Sequence, residues 1–265
     1  MELLQVKELS IQATLLGGQS HILHSLSFEA QAGKRLAIVG ESGCGKSMTA
    51  LAILGLLPKN CTASGQLLLQ GENLLTMPAR QRNALRGREI VLIPQSGADF
   101  LNPVLTVGSQ MAETLRRLGI HGKKNIKTHC HELLQAVGFA EPAELLGKYP
   151  FQLSGGMAQR VVMAMGMAGN PLLVVADEPT RGVDDETAAT FMDSIVDSFP
   201  QAAVIIITHN IAVAKACERL LVMRQGNRLE YGDTAQILKN PGHPYTQSLI
   251  DALPENGLKL PEVTP

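Results

Sequence analysis

The chain has 265 residues, with 23 Lys and Arg against 24 Asp and Glu, for a formal net charge of −1. That balance argues against DNA or RNA as the main ligand, because polyanion binders carry a basic excess. No apolar run approaches the ~18 residues of a membrane span, and aromatic residues make up only 3% of the chain with no Trp, so the core must be built from Leu, Ile, Val, Ala and Met.

The opening residues, Met1 to Gln5, lack a basic stretch followed by an apolar core and do not read as a secretory signal. Leu3, Leu4, Val6, Leu9 and Ile11, then Ile22, Leu23, Leu26 and Phe28, punctuated by Gly17-Gly18 and Gly33, predict an antiparallel β layer. Four later apolar runs each end at a polar residue. Leu36 to Val39 runs into Gly40, and Ile90 to Ile93 into Pro94-Gln95. Leu172 to Ala176 runs into Asp177-Glu178, and Val204 to Ile207 into Thr208-His209. Continuous β-branched runs suit strands buried on both faces of a parallel sheet. Ligands of such sheets bind beyond the carboxyl ends of the strands, where each of these runs delivers its polar residue.

Between the second and third runs the pattern changes. Val107 to Leu118 and Lys127 to Val137 show helical spacing, which predicts a helical lobe over 96–155. Ser154 to Gly169 continues as a helix closed by Asn170-Pro171, and Thr234 to Lys239 forms a short helix. The Pro-rich end, Pro254 to Pro265, is expected to be loose. This gives one α/β domain over 1–265. Its core occupies 1–95 and 156–240, its helical lobe 96–155 and its tail 241–265. The cysteines at 44, 61, 130 and 217 show no short paired spacing and read as reduced thiols.

Gly40-Glu41-Ser42-Gly43-Cys44-Gly45-Lys46-Ser47 fits G-x-x-x-x-G-K-[ST] at every fixed position. Glycines let backbone N–H groups curl around phosphate oxygens, and the helix from Lys46 through Met48 presents its positive end. Lys46 would pair with the β- and γ-phosphates and Ser47 would ligate Mg²⁺. A Gly-rich turn with no ligand is the alternative. The strand before it and the helix after it argue against that. Cys44 reads as a tolerated small residue. Asp177 would hold Mg²⁺ directly or through water, and Glu178 is the candidate general base for the attacking water. Adjacent acids on a strand point to opposite faces and can take different roles. A solvated strand end is the alternative, and Pro179-Thr180 directly after it weakens that reading.

The segment Leu153-Ser154-Gly155-Gly156-Met157-Ala158-Gln159-Arg160, placed between the phosphate loop and the acidic strand, resembles the signature of ABC transporter ATP-binding subunits. The resemblance covers nearly the whole chain. It implies a phosphate-loop NTPase fold with a RecA-like parallel core, ATP and Mg²⁺ as cofactors, and ATP hydrolysis. It further implies that His209 contacts the γ-phosphate, and that Gln95 touches Mg²⁺ and the attacking water. Ser154, Gly155 and Gly156 would bind the γ-phosphate of the ATP held by a partner ATPase, and Asp184 would lie in the segment crossing that interface. The implied partners are a second, paralogous ATPase chain or a second copy, two membrane permeases and an extracytoplasmic binding protein. The implied location is the cytoplasmic face of the cell membrane, with coupling helices received near Gln95 to Pro103.

Two departures stand out. Arg181-Gly182 replaces the usual residues before Asp184, and Leu9 to Thr14 contains no aromatic ring for adenine stacking. Losing such a ring costs about 1–3 kcal/mol, so weaker ATP binding and poorer adenine selectivity are expected. The Met157 form of the signature, Phe100-Leu101-Asn102-Pro103, and His243-Pro244-Tyr245-Thr246-Gln247-Ser248-Leu249 resemble the oligopeptide, dipeptide and nickel importer branch. With no cysteine after Cys217 and a short tail, nickel or a metal chelate is the expected cargo, and di- or oligopeptides are the alternative. His129-Cys130-His131 is not expected to hold that metal, because helix neighbours one and two apart do not share a face. A solvated helix face is the better reading. A soluble ABC protein acting on ribosomes or DNA, or a small-molecule kinase, would need features absent here. These are paired motif sets or coiled-coil heptads for the first, and no signature segment for the second.

Overall fold

A computed structural model describes residues 2–15, 17–179 and 185–253, with backbone only for 185–189. Arg181-Gly182, Asp184 and the tail from Pro254 lie outside the described residues. In chain order, the first elements are β1 (Glu2–Leu15), β2 (Gly18–Gln31), β3 (Arg35–Val39), α1 (Lys46–Leu54), β4 (Cys61–Leu69) and β5 (Glu72–Asn73). There follow α2 (Ala79–Leu85), β6 (Ile90–Ile93), α3 (Gly97–Phe100), α4 (Val107–Arg117), α5 (Lys123–Ala136), α6 (Pro142–Leu146), a 3₁₀ turn over Pro150–Gln152, α7 (Gly155–Met167) and β7 (Leu173–Asp177). The last are α8 (Asp185–Ser198), β8 (Ala203–Thr208), α9 (Ile211–Ala214), β9 (Arg219–Arg224), β10 (Asn227–Asp233), α10 (Thr234–Lys239) and α11 (Pro244–Asp251). The chain divides into two compact units, 1–76 with 205–265, and 77–204.

In the first unit, β2-β1-β4-β5 form an antiparallel sheet. Beyond Leu3, the buried positions of β1 run Leu4, Val6, then Leu9, Ile11 and Ala13, a slip of one residue in the alternation. The chain absorbs the slip with Glu8 at φ 51, where the register to β2 and β4 shifts. β2 does the same between Leu23 and Leu26, with Ser25 at φ 51. Such bulges restore one apolar face after a break in period. Beside this sheet β10, β9, β3 and β8 lie in that order, with β3 parallel to β9. Ala37, Ile38 and Val39 of β3 have no exposed surface, as buried parallel strands require.

In the second unit β6 and β7 pair in parallel, Ile90 against Leu173 through Ile93 against Ala176. Helix α7 packs against β6, and α3, α4 and α5 pack against α7 in turn. Within that unit α4 places Val107, Met111 and Leu115 on its buried face and α5 does so with Ile126, Cys130 and Leu134, the four-residue spacing of amphipathic helices. The expected parallel strands, antiparallel β layer and helical segment are all found.

Candidate functional site

The phosphate loop connects β3 to α1. Two of its glycines are required by close approach. A Cβ on Gly40 would stand 2.2 Å from the carbonyl oxygen of Met223. On Gly45, which has φ 105, it would stand 2.4 Å from Leu23 Cδ2. The loop is thus wedged between the end of β9 and β2. Lys46 is buried, and its ammonium donates to the carbonyls of Gly40 at 2.7 Å and Glu41 at 3.0 Å. Thr49 anchors the first turn by donating its hydroxyl to the Gly45 carbonyl at 3.0 Å. Glu41, Ser42, Gly43 and Ser47 are exposed, Met48 is half-buried, and Cys44 is buried. Burial pushes the Cys44 thiol above its usual range against the opposing pull of Lys46, consistent with a packing residue. His209 is exposed, one residue past β8.

In the second unit the strand β7 ends at Asp177. Glu178 is not on the strand: its φ of 47 puts it in the left-handed region. The two acids therefore do not diverge by strand alternation as the sequence suggests. The backbone turns between them instead. A non-glycine residue held there costs about 1–3 kcal/mol. Both carboxylates are half-buried. Gln95 is exposed beyond β6, just before α3.

Ser154 caps α7 by accepting the Met157 N–H at 3.3 Å, as its residue type favours. Ser154, Gly155 and Gly156 are exposed, and a Cβ on either glycine would meet nothing within 4 Å. The opening turn of α7 therefore offers bare N–H groups on an unobstructed surface. Gln159, read from the sequence only as part of the signature segment and given no role of its own, is buried one turn further on. It donates to the Pro179 carbonyl at 2.6 Å and lies 3.5 Å from the Gln95 carbonyl. Gly97 makes this junction possible, since a Cβ there would stand 2.5 Å from the Gln159 nitrogen. The signal for Gln159 in the sequence is its place on the buried face of the signature helix.

His129-Cys130-His131 does not form a solvated face throughout. His129 is exposed, with its Nδ1 2.8 Å from the Asn125 carbonyl, whereas Cys130 is buried in the helical packing. Among the described residues no group of three His, Cys, Asp or Glu side chains is placed to hold a metal ion, and no helix is long and apolar enough to cross a membrane.

A phosphate loop after a buried parallel strand, a strand-terminal acidic pair and a capped Ser-Gly-Gly helix start define an ATP-binding cassette. The comparisons agree. Residues 23–181 match the ABC transporter family, and residues 229–264 match the oligopeptide/dipeptide transporter C-terminal region. A probable peptide ABC transporter ATP-binding protein of Sinorhizobium fredii is 38% identical over 98% of this chain and 81% of its own length. The dipeptide transport ATP-binding protein DppD of Bacillus subtilis is 36% identical over 100% and 80%. The oligopeptide transport ATP-binding protein OppD of Haemophilus influenzae is 37% identical over 95% and 79%. Among solved structures, a dimeric post-hydrolysis state of the cassette MJ0796 bound to ADP and Pi gives a TM-score of 0.74 at 21% identity, covering 88% of this chain and 99% of that one. The cbiO1 cassette of Clostridium perfringens gives 0.75 at 22%, covering 96% of each. The chain belongs to the ABC transporter family. It is an ABC-type ATPase, and its hydrolysis of ATP is coupled to transport.

Proposed function

We propose that the chain powers a peptide importer, with di- or oligopeptides as cargo. The observation that carries this reading is the match of residues 229–264 to the oligopeptide/dipeptide transporter C-terminal region. The relatives' names point the same way, and they favour peptides over the nickel cargo that the sequence alone suggests.

In this reading the phosphate loop from Gly40 to Met48 cradles the phosphates, with Lys46 neutralising the β- and γ-groups. Ser47, Gln95 and Asp177 offer a hydroxyl, an amide and a carboxylate. These are hard oxygen donors of the kind that suit Mg²⁺, with phosphate and water completing the shell. That ion would draw charge from the phosphates as the bond to the leaving oxygen breaks. Glu178 accepts the proton of the attacking water from its place just past the end of β7. His209 steadies the γ-phosphate. Ser154, Gly155 and Gly156 serve an ATP held by a second ATPase chain, to which their open surface is suited, and Asp184 belongs to the same crossing. Without a stacking ring in Leu9 to Thr14, adenine is held less selectively. The chain would work peripherally on the cytoplasmic side of two permeases fed by a binding protein. Phe100, Val104, Leu105 and Phe151, exposed large apolar side chains of the second unit, fit the receiving surface for coupling helices.

The test is uptake by cells carrying the intact chain or its Glu178→Gln form, with labelled dipeptide, labelled oligopeptide and labelled nickel offered in parallel. Loss of peptide uptake with nickel uptake unchanged is expected. Loss of nickel uptake alone would overturn the cargo while leaving the ATPase assignment intact.

A further inference from the structure

The His-Pro-Tyr element is not remote from the phosphate loop. The N–H of Glu41, second residue of the loop, donates to the Tyr245 hydroxyl oxygen at 2.9 Å. The Glu41 carboxylate pairs with Arg224 Nε at 3.5 Å. The Arg224 guanidinium in turn lies over the Tyr245 ring, 4.8 Å from its centroid. Tyr245 and Arg224 thus hold Glu41 by its backbone and by its side chain together.

Tyr245 is itself fixed. Pro244 begins α11 with a preset φ. The Tyr245 N–H donates to His243 Nδ1 at 3.0 Å, and its carbonyl accepts from Ser248 Oγ at 2.7 Å. The neighbouring Thr246 is fully buried. Burial raises the pKa of the Tyr245 phenol above its usual range, so it stays neutral across the physiological range.

The peptide between Gly40 and Glu41 is planar and trans, so its C=O and N–H point in opposite directions. The N–H is bound to Tyr245. The C=O of the same plane is the group that accepts from Lys46 Nζ at 2.7 Å. Tying down one end of the plane fixes the other, and with it the seat of the ammonium that must meet the phosphates. We infer that Tyr245 is a positioning residue for ATP, acting through the Gly40–Glu41 peptide plane on Lys46, with Arg224 as its brace. This gives the His-Pro-Tyr element a role in the nucleotide site, whatever the cargo.

The experiment is ATP turnover by the assembled importer carrying Tyr245→Phe or Arg224→Gln in the full chain, with thermal midpoints recorded alongside. Tyr245→Phe keeps the ring and removes only the acceptor. It is expected to raise KM for ATP about fivefold, the value of one lost hydrogen bond, with kcat changed less than about twofold. Arg224→Gln is expected to act in the same direction, and the double variant to lose less than the product of the two, because both act through Glu41. A KM for ATP within about twofold of the parent in Tyr245→Phe overturns the inference, even if the midpoint falls. So does a loss confined to kcat. Should Tyr245→Phe not assemble, Arg224→Gln is judged by the same criterion.

Discussion

Gln159 Nε2 donates to the carbonyl of Pro179 at 2.6 Å, joining α7 to the turn that follows Asp177 and Glu178. The side chain is buried, and the Gln95 carbonyl lies 3.5 Å from the same nitrogen. One amide therefore holds the segments that carry the candidate base, the candidate water-positioning residue and the signature.

Replacing Gln159 with Leu keeps the volume and removes the donor, leaving the Pro179 carbonyl without its bond. Such a loss costs about 1–3 kcal/mol. Urea unfolding should show a lower midpoint, and ATP turnover should fall because Glu178 is no longer held in its turned conformation. Full activity in a destabilised variant would reduce Gln159 to a packing residue.

Gly155 separates what the chain needs from what its ligand needs. Nothing within 4 Å would contact a Cβ there, and Gly155 is not among the glycines with positive φ. Alanine in a helix is favoured over glycine by about 0.5–1 kcal/mol. Gly155→Ala should therefore leave the thermal midpoint equal or higher. If the surface receives a phosphate from a partner subunit, turnover by the assembled importer should nevertheless fall at least about tenfold, because the methyl blocks the N–H groups. Undiminished turnover would remove the signature glycines from the nucleotide site.

The parallel strands were legible because burial on both faces leaves unbroken apolar runs, as in Leu36 to Val39 and Leu173 to Ala176. The helical segment was legible from four-residue spacing, although α5 begins at Lys123, earlier than the apolar pattern from Lys127, because exposed lysines add no period to read. The slip from Val6 to Leu9 carries the bulge at Glu8 in the sequence itself. Other features were not legible. The turn at Glu178 is a backbone conformation that a glutamate does not advertise. Gln159 and Tyr245 matter through partners 20 and 204 residues away in the chain, distances at which no periodic pattern reports contact.

Glu218 and Arg35 form the best-bonded ion pair of the first unit, with the Arg35 backbone N–H at 2.8 Å, Nε at 3.1 Å and Nη2 at 2.6 Å from the carboxylate. Burial alone would raise the Glu218 pKa, but the Arg35 bonds outweigh it and hold it at about 2. A depressed carboxylate contributes stability that is complete above its unfolded value near 4.5 and is lost as pH falls toward 2. With side chains 29% and 33% exposed, solvent screening reduces the contribution to about 1–2 kcal/mol. Unfolding free energy measured from pH 6 to pH 3 should fall in the parent and fall less steeply in Glu218→Gln. Parallel curves would show that the pair contributes nothing to acid sensitivity.

The four cysteines should separate sharply in reactivity. Cys44, Cys130 and Cys217 are buried, and only Cys61 is partly exposed. Burial raises all three buried thiols, Cys217 to about 12. The thiolate is the reactive form, so at pH 8 only about 1 in 10,000 Cys217 groups is competent even when reached. A thiol reagent at pH 8 should therefore label one group per chain quickly, identified as Cys61 by peptide mapping, and the other three only after denaturation. Cys61→Ser should abolish the fast phase without changing ATP turnover, since Cys61 begins β4 and its thiol lies 3.9 Å from Asn60 Oδ1. Fast labelling of Cys44 would mean that the loop opens far enough to expose its buried side, and would weaken the argument that Gly40 and Gly45 wedge it shut.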